Sequence, residues 1–170
     1  MKTLFLLRHA KSSWKKPTLA DFDRPLKGRG RKACKLMGAY LDGHGIKPHI
    51  ILCSAAKRAR QTLLEINGEW PLSVPTLFKE SLYHASPITM LQHLRGLDDA
   101  IASAMIIGHN PGLEDLAYAL TGSGDVEALE AMERKFPTAA LAVLSAPIGT
   151  WRELGPGGAR LDRFVQPKDL

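Results

Sequence analysis

Two imidazoles and two guanidiniums stand where apolar runs give out. LFLL leads into Arg8 and His9, HIILC leads into Ser54 with Arg58 four residues on, and AMIIG leads into His109. A guanidinium fork matches two phosphoryl oxygens at once. An imidazole is a competent nucleophile when one ring nitrogen is unprotonated, and neighbouring positive charge disfavours the imidazolium form. His9 could therefore attack phosphorus while Arg8, Arg58 and His109 hold the equatorial oxygens. Such contacts strengthen as charge gathers in the transition state. His109 runs into Asn110 and Pro111, read as the cap and first residue of a helix whose N-terminus adds N–H groups and a positive dipole end.

These residues need elements to carry them. Thr3–Leu7, His49–Cys53, Ala104–Gly108 and Ala139–Ser145 are apolar runs with the length and composition of buried strands. A short strand fits Thr76–Phe78, and an edge strand fits near Leu161–Val165. Between them, Arg29–Leu41 carries an apolar face on Ala33, Leu36, Met37, Tyr40 and Leu41, and Ser54 is a plausible cap for the helix bearing Ala59, Leu63 and Ile66. Pro87–Leu94 fits a short helix, and Leu113, Leu116, Ala117 and Leu120 form the stripe of another, stopped by Gly122. Apolar strands alternating with amphipathic helices predict an α/β three-layer sandwich with a mainly parallel sheet. Ligands in such sheets bind beyond the carboxyl ends of the strands, so one crevice could collect Arg8, His9, Ser54 and His109. Arg58 and Arg60 lie two helical residues apart, about 200° of rotation, and cannot face one site.

Composition limits the alternatives. The 170 residues suit one domain spanning residues 1–170, and 45% apolar with 24% charged residues is ordinary for a globular chain. Cys34 and Cys53 read as buried reduced thiols. No metal-ligand spacing occurs among the histidines, so neither metal nor cofactor is expected. With no long apolar run, and a strand starting directly after Thr3, neither membrane span nor leader is expected, which points to the cytoplasm. The net charge of +6 is uneven: residues 1–35 hold eleven Lys/Arg against two Asp/Glu, a net of +9, and the remainder nets −3. A basic rim recruits anions, but no RNA-binding aromatic signature or zinc-finger spacing accompanies it.

Taken together, LLRHAKSSW, CSAAKRARQT and IIGHNPG resemble the histidine phosphatase superfamily, also called phosphoglycerate mutase-like. RHAKSSW, DRPLKGRG, LYHASP and GHNPGLEDLA are similar to its small SixA-type phosphohistidine phosphatase branch. The resemblance implies that His9 is a transiently phosphorylated nucleophile. It implies that Arg8 and Arg58 bind the phosphoryl group with His109 as the second pocket histidine. Ala10 stands where most members have glycine. Glu80 is the positional match to the general acid of larger members, although a phosphoramidate leaving group can depart without one.

Other residues have plainer roles available. Lys11 and Ser13 could donate to phosphate from the loop after His9. Arg24 is read as the partner of Asp21 or Asp23, His84 as a rim residue, and Glu114 and Asp115 as favourable charges in a first helical turn. The expected partner is a phosphohistidine-bearing protein, suited to an unroofed site, or else a small phosphate ester. The alternatives are a phosphomonoesterase or mutase, a non-catalytic phosphate or nucleic-acid binding module, and a metallohydrolase; nucleic acid is the less expected ligand.

Overall fold

The structure, a computed structural model, describes residues 1–170. In chain order the elements are β1 (Lys2–Arg8), α1 (Gly28–Gly43), β2 (Ile50–Ser54), α2 (Lys57–Asn67), β3 (Thr76–Lys79), α3 (Pro87–Arg95), β4 (Ser103–Gly108), α4 (Gly112–Leu120), β5 (Thr121–Gly124), α5 (Val126–Arg134), β6 (Leu141–Ala146) and β7 (Ala159–Val165). They build one seven-stranded sheet in the order β3-β2-β4-β1-β6-β7-β5. All strands run the same way except β6, which is antiparallel to both β1 and β7.

The continuous apolar runs follow from burial on both faces. Along β1, Leu4 and Leu6 join α3, α4 and α5 in one core, while Phe5 and Leu7 join α1 and α2 in the other. The period-2 alternation of a strand assigns neighbouring residues to opposite layers. The result is the three-layer sandwich with a mainly parallel sheet.

Four local expectations are corrected. First, β5 and α5 lie in a stretch that the sequence reading left without elements. TGSG has no apolar alternation and pairs through small residues: a Cβ on Gly122 would lie 2.1 Å from the Gly157 carbonyl oxygen. In α5, only Ala128 and Met132 are buried, beneath an Asp125 cap that accepts the Ala128 amide at 3.0 Å. Second, β5 is the edge strand, so β7 lies inside the sheet. Third, Ser54 is the last residue of β2 and α2 is preceded by Ala56, which makes no side-chain cap. Fourth, Pro111 occupies the cap position of α4, and Asn110 sends its amide to the Phe136 carbonyl instead.

Two glycines let the site loops approach their helices. A Cβ at Gly112 would sit 1.9 Å from the Ala85 carbonyl oxygen, and one at Gly30 would sit 2.2 Å from that of Lys11. Because the obstacle is backbone in each case, the loop itself must move. Gly112→Ala is expected to cost about 2–3 kcal/mol in urea unfolding. Gly43→Ala, with nothing within 4 Å of its Cβ, should change stability by less than about 1 kcal/mol.

Candidate active site

Strand register brings the two histidines together. β1 and β4 are parallel neighbours with Arg8 opposite Gly108, so His9 and His109 leave the sheet side by side. Their ring centroids lie 5.0 Å apart at an interplanar angle of 50°. The exit of β1 is held by the Ala139 amide, which donates to the carbonyls of Arg8 and His9 at 3.1 Å each.

The His9 ring is set in one tautomer. Nδ1 lies 2.7 Å from the Ala10 carbonyl oxygen, an acceptor that requires the proton on Nδ1. Nε2 then carries the lone pair, and Arg58 Nε donates to it at 3.4 Å. Burial pushes the His9 pKa down to about 3, with Arg58, Arg8 and Arg24 adding to the depression against the pull of the Ala10 carbonyl. The imidazole is neutral at any physiological pH, as attack by Nε2 demands.

His109 is buried too. Its Nε2 lies 2.7 Å from Ser54 Oγ, an oxygen that also accepts the Ala56 amide at 3.3 Å. A hydroxyl has one proton and two lone pairs, so Ser54 can serve Nε2 in either tautomer of His109 while holding the Ala56 amide. Burial lowers the His109 pKa to about 3, and His9, Arg58 and His84 lower it further while Asp21 opposes them.

The buried side-chain polar atoms without a hydrogen-bond partner number three: Arg8 Nε, His109 Nδ1 and Asn110 Oδ1. All belong to residues at the adjacent ends of β1 and β4. Orphaned buried polar atoms are rare because each costs desolvation free energy, so their clustering marks a place built for a ligand. One of the three, Arg8 Nε, is a cationic N–H donor, which suits an anion.

Arg58 is 4% exposed and is fastened by Asp21. Its Nη1 donates to the Asp21 carbonyl at 2.7 Å and its Nη2 to Asp21 Oδ2 at 3.0 Å. Asp21 Oδ1 takes Arg24 Nη1 at 2.7 Å, and Oδ2 also accepts the Tyr83 hydroxyl at 2.5 Å. Burial alone would raise the Asp21 pKa, but Tyr83, Arg24 and Arg58 outweigh it and hold the carboxylate ionised, well below its usual range. His84 Nε2 lies 3.5 Å from Asp21 Oδ2, its ring stacks on Tyr83 at 4.1 Å and meets His109 edge-on at 5.7 Å. At His84 the backbone adopts φ 50°, a left-handed conformation uncommon for a side-chain-bearing residue.

The expected residues fall in three groups. Arg8, His9, Arg58 and His109 converge, and Arg60 is exposed on the far side of α2. Ser13 is used within its own loop: its carbonyl accepts Arg24 Nε at 3.1 Å, and its hydroxyl accepts the Lys15 amide. Lys11 is exposed, and Glu80 is exposed with no hydrogen bond or ion pair to its carboxylate. Arg24 pairs with Asp21 as expected and also reaches Ser12. What the sequence reading missed is Asp21 as the anchor of Arg58, and the Tyr83–Asp21 link behind it. The available signal was physical: a buried arginine needs a carboxylate, and Asp21 and Asp23 are the sole acids among the first 35 residues.

The two depressed imidazoles make stability pH-dependent. Unfolded histidines near pKa 6.5 take up protons that the folded ones refuse until about pH 3, so the unfolded state binds more protons in that window and stability falls on acidification. Urea unfolding from pH 7 down to pH 4 is expected to show this slope. His109→Gln should remove about one proton from it.

Similarity to known proteins agrees with this geometry. Residues 4–82 match the histidine phosphatase superfamily (branch 1). Protein ML1117 of Mycobacterium leprae, itself uncharacterized, is 36% identical over 166 residues, covering 95% of this chain and all of the relative. A solved structure from Agrobacterium tumefaciens, described as a "putative phosphohistidine phosphatase SixA", superposes with a TM-score of 0.82 at 29% identity, covering 98% of each chain. Another so described, from Nakamurella multipartitia, gives 0.82 at 26% identity, covering 98% of this chain and 96% of the other. This chain belongs to the histidine phosphatase superfamily, and within it to the SixA-type branch. That membership supports a phosphatase as the class of enzyme.

Proposed function

We propose that the protein removes the phosphoryl group from phosphohistidine on a partner protein, by way of a phosphoryl group carried on His9. The observation that supports this best is the state of His9: a neutral ring with Nδ1 committed to Ala10 and the Nε2 lone pair turned to the Arg58 guanidinium, next to His109. The Nε2 lone pair forms the new N–P bond as the P–N bond of the substrate breaks, its electron pair passing to the departing imidazole. Water then attacks phosphorus, the P–N bond to His9 breaks, and inorganic phosphate leaves with the Nε2 lone pair restored. Arg8, Arg58 and His109 hold the three non-reacting oxygens.

A protein-borne substrate is favoured by the shortness of the loops. β2 joins α2, and β4 joins α4, within a few residues, and the longest connection, the 19 residues between β1 and α1, carries Asp21 to Arg58. Nothing in these connections builds a roof.

Glu80 remains the positional candidate for the acid, yet its carboxylate is in solvent, and Asp21 is held ionised. His84 joins the cradle through Asp21, Tyr83 and His109 and is the better-placed proton source for a poor leaving group. The decisive experiment measures phosphate release from a phosphohistidine peptide, a phosphoserine peptide and a sugar phosphate side by side, with His9→Ala as the control. A preference of at least tenfold in kcat/KM for phosphohistidine is expected. His84→Gln should slow the phosphoserine reaction more than the phosphohistidine one. Preference for the sugar phosphate would replace this reading with a small-molecule phosphomonoesterase.

A further inference from the structure

The basic excess of residues 1–35 exceeds what the cradle uses, and the surplus converges elsewhere. A second cavity of about 560 Å³ opens on the same edge of the sheet. It lies where β1 and β7 end and α1 begins, on the β6–β7 side. Six cations line it: Lys11, Arg29, Lys32, Arg134, Lys135 and Lys168. No acidic residue lines it, and none of the six makes an ion pair. The lining also includes the apolar side chains of Leu36, 44% exposed, Pro137 and Pro167. The cavity is a neighbour of the cradle and not part of it. Pro137 and Thr138 line it, and the next residue, Ala139, holds Arg8 and His9 through its amide, but no side chain of the cradle lines it.

We propose that this cavity binds an organic polyanion of the nucleoside polyphosphate class, with an apolar body against Leu36, Pro137 and Pro167 and its phosphates among the six cations. Like charges held together without counter-charges repel one another, and a polyanion relieves that repulsion as it binds. The volume falls in the range of about 300–1,000 Å³ typical of small-ligand sites. A partner protein would need a broad surface of about 800 Å² on each side, not a concavity. A bare inorganic anion would leave the apolar wall unused. The inference is independent of which phosphoryl substrate His9 attacks.

The test is calorimetry on the full chain with orthovanadate present as a phosphate mimic for the catalytic cradle. The probes are ATP, inorganic tripolyphosphate, adenosine and a poly-glutamate peptide. One ATP per chain is expected to bind in vanadate, at least tenfold more tightly than either tripolyphosphate or adenosine. The double variant Lys32→Gln, Arg134→Gln should weaken ATP binding at least tenfold and leave hydrolysis of p-nitrophenyl phosphate within twofold of wild type. Both residues are exposed, so the fold is not at stake. Loss of ATP binding in vanadate would place the ligand in the cradle and overturn the proposal. Equal affinity for tripolyphosphate, binding of poly-glutamate without ATP, or unchanged affinity in the double variant would overturn it too.

Discussion

His9→Ala is expected to lower turnover roughly 10⁴-fold or more, the scale set by removing a nucleophile that acts as part of a unit. The expectation rests on chemistry that no neighbour can replace. His109, the other imidazole of the cradle, has its Nε2 on Ser54, and His84 has its Nε2 toward Asp21. Neither offers a buried lone pair beside Arg58. The variant should retain the phosphate-mimic affinity of the cradle, since Arg8, Arg58 and His109 remain. A second readout separates loss of chemistry from loss of fold: quenching wild type in base during turnover should trap phosphoryl on His9, because the P–N bond is acid-labile. His9→Ala should trap none while keeping the far-ultraviolet circular dichroism of wild type. Turnover of His9→Ala at the wild-type rate would rule out the mechanism.

The second large effect is expected at Arg58, with Arg60 as the internal control. Arg58→Lys should lower kcat/KM by about 100- to 1,000-fold, as loss of one preorganised donor to a developing charge does elsewhere. Lysine keeps the charge but loses the planar fork. In this site the fork does two things at once: Nε faces His9 Nε2, and both Nη atoms are held by Asp21. A single ammonium cannot be in both places. Arg60→Lys, two residues along the same helix and exposed, should stay within twofold of wild type. Equal losses at the two positions would show that the effect is general charge around the site rather than the geometry of one guanidinium.

Much of this arrangement is legible from residue order alone. Apolar runs in β1, β2 and β4 end on Arg8-His9, Ser54 and Gly108-His109, and parallel strands must present their exits on one edge. The resemblance carried by RHAKSSW and GHNPGLEDLA pointed to the same residues. Local patterns failed where structure is made by contact instead of composition. TGSG pairs as β5 because glycines admit a neighbouring backbone, and the Ser54 hydroxyl serves His109 rather than the helix it precedes. Asn110 likewise turns to Phe136 rather than to its own helix.

The sequence by itself determined which strands are buried, which polar residues leave them, and that Arg58 and Arg60 cannot share one side, because those are properties of periodicities of two and 3.6; the family resemblance pointed to Arg58 of the two. Only the tertiary structure decided that Asp21 anchors Arg58 across 37 positions, and that Tyr83 and His84 meet the same carboxylate oxygen. It also decided that cations near residues 29, 134 and 168 share one cavity. Those relations depend on strand register and loop path, and the side chains involved carry no local pattern that announces a distant partner.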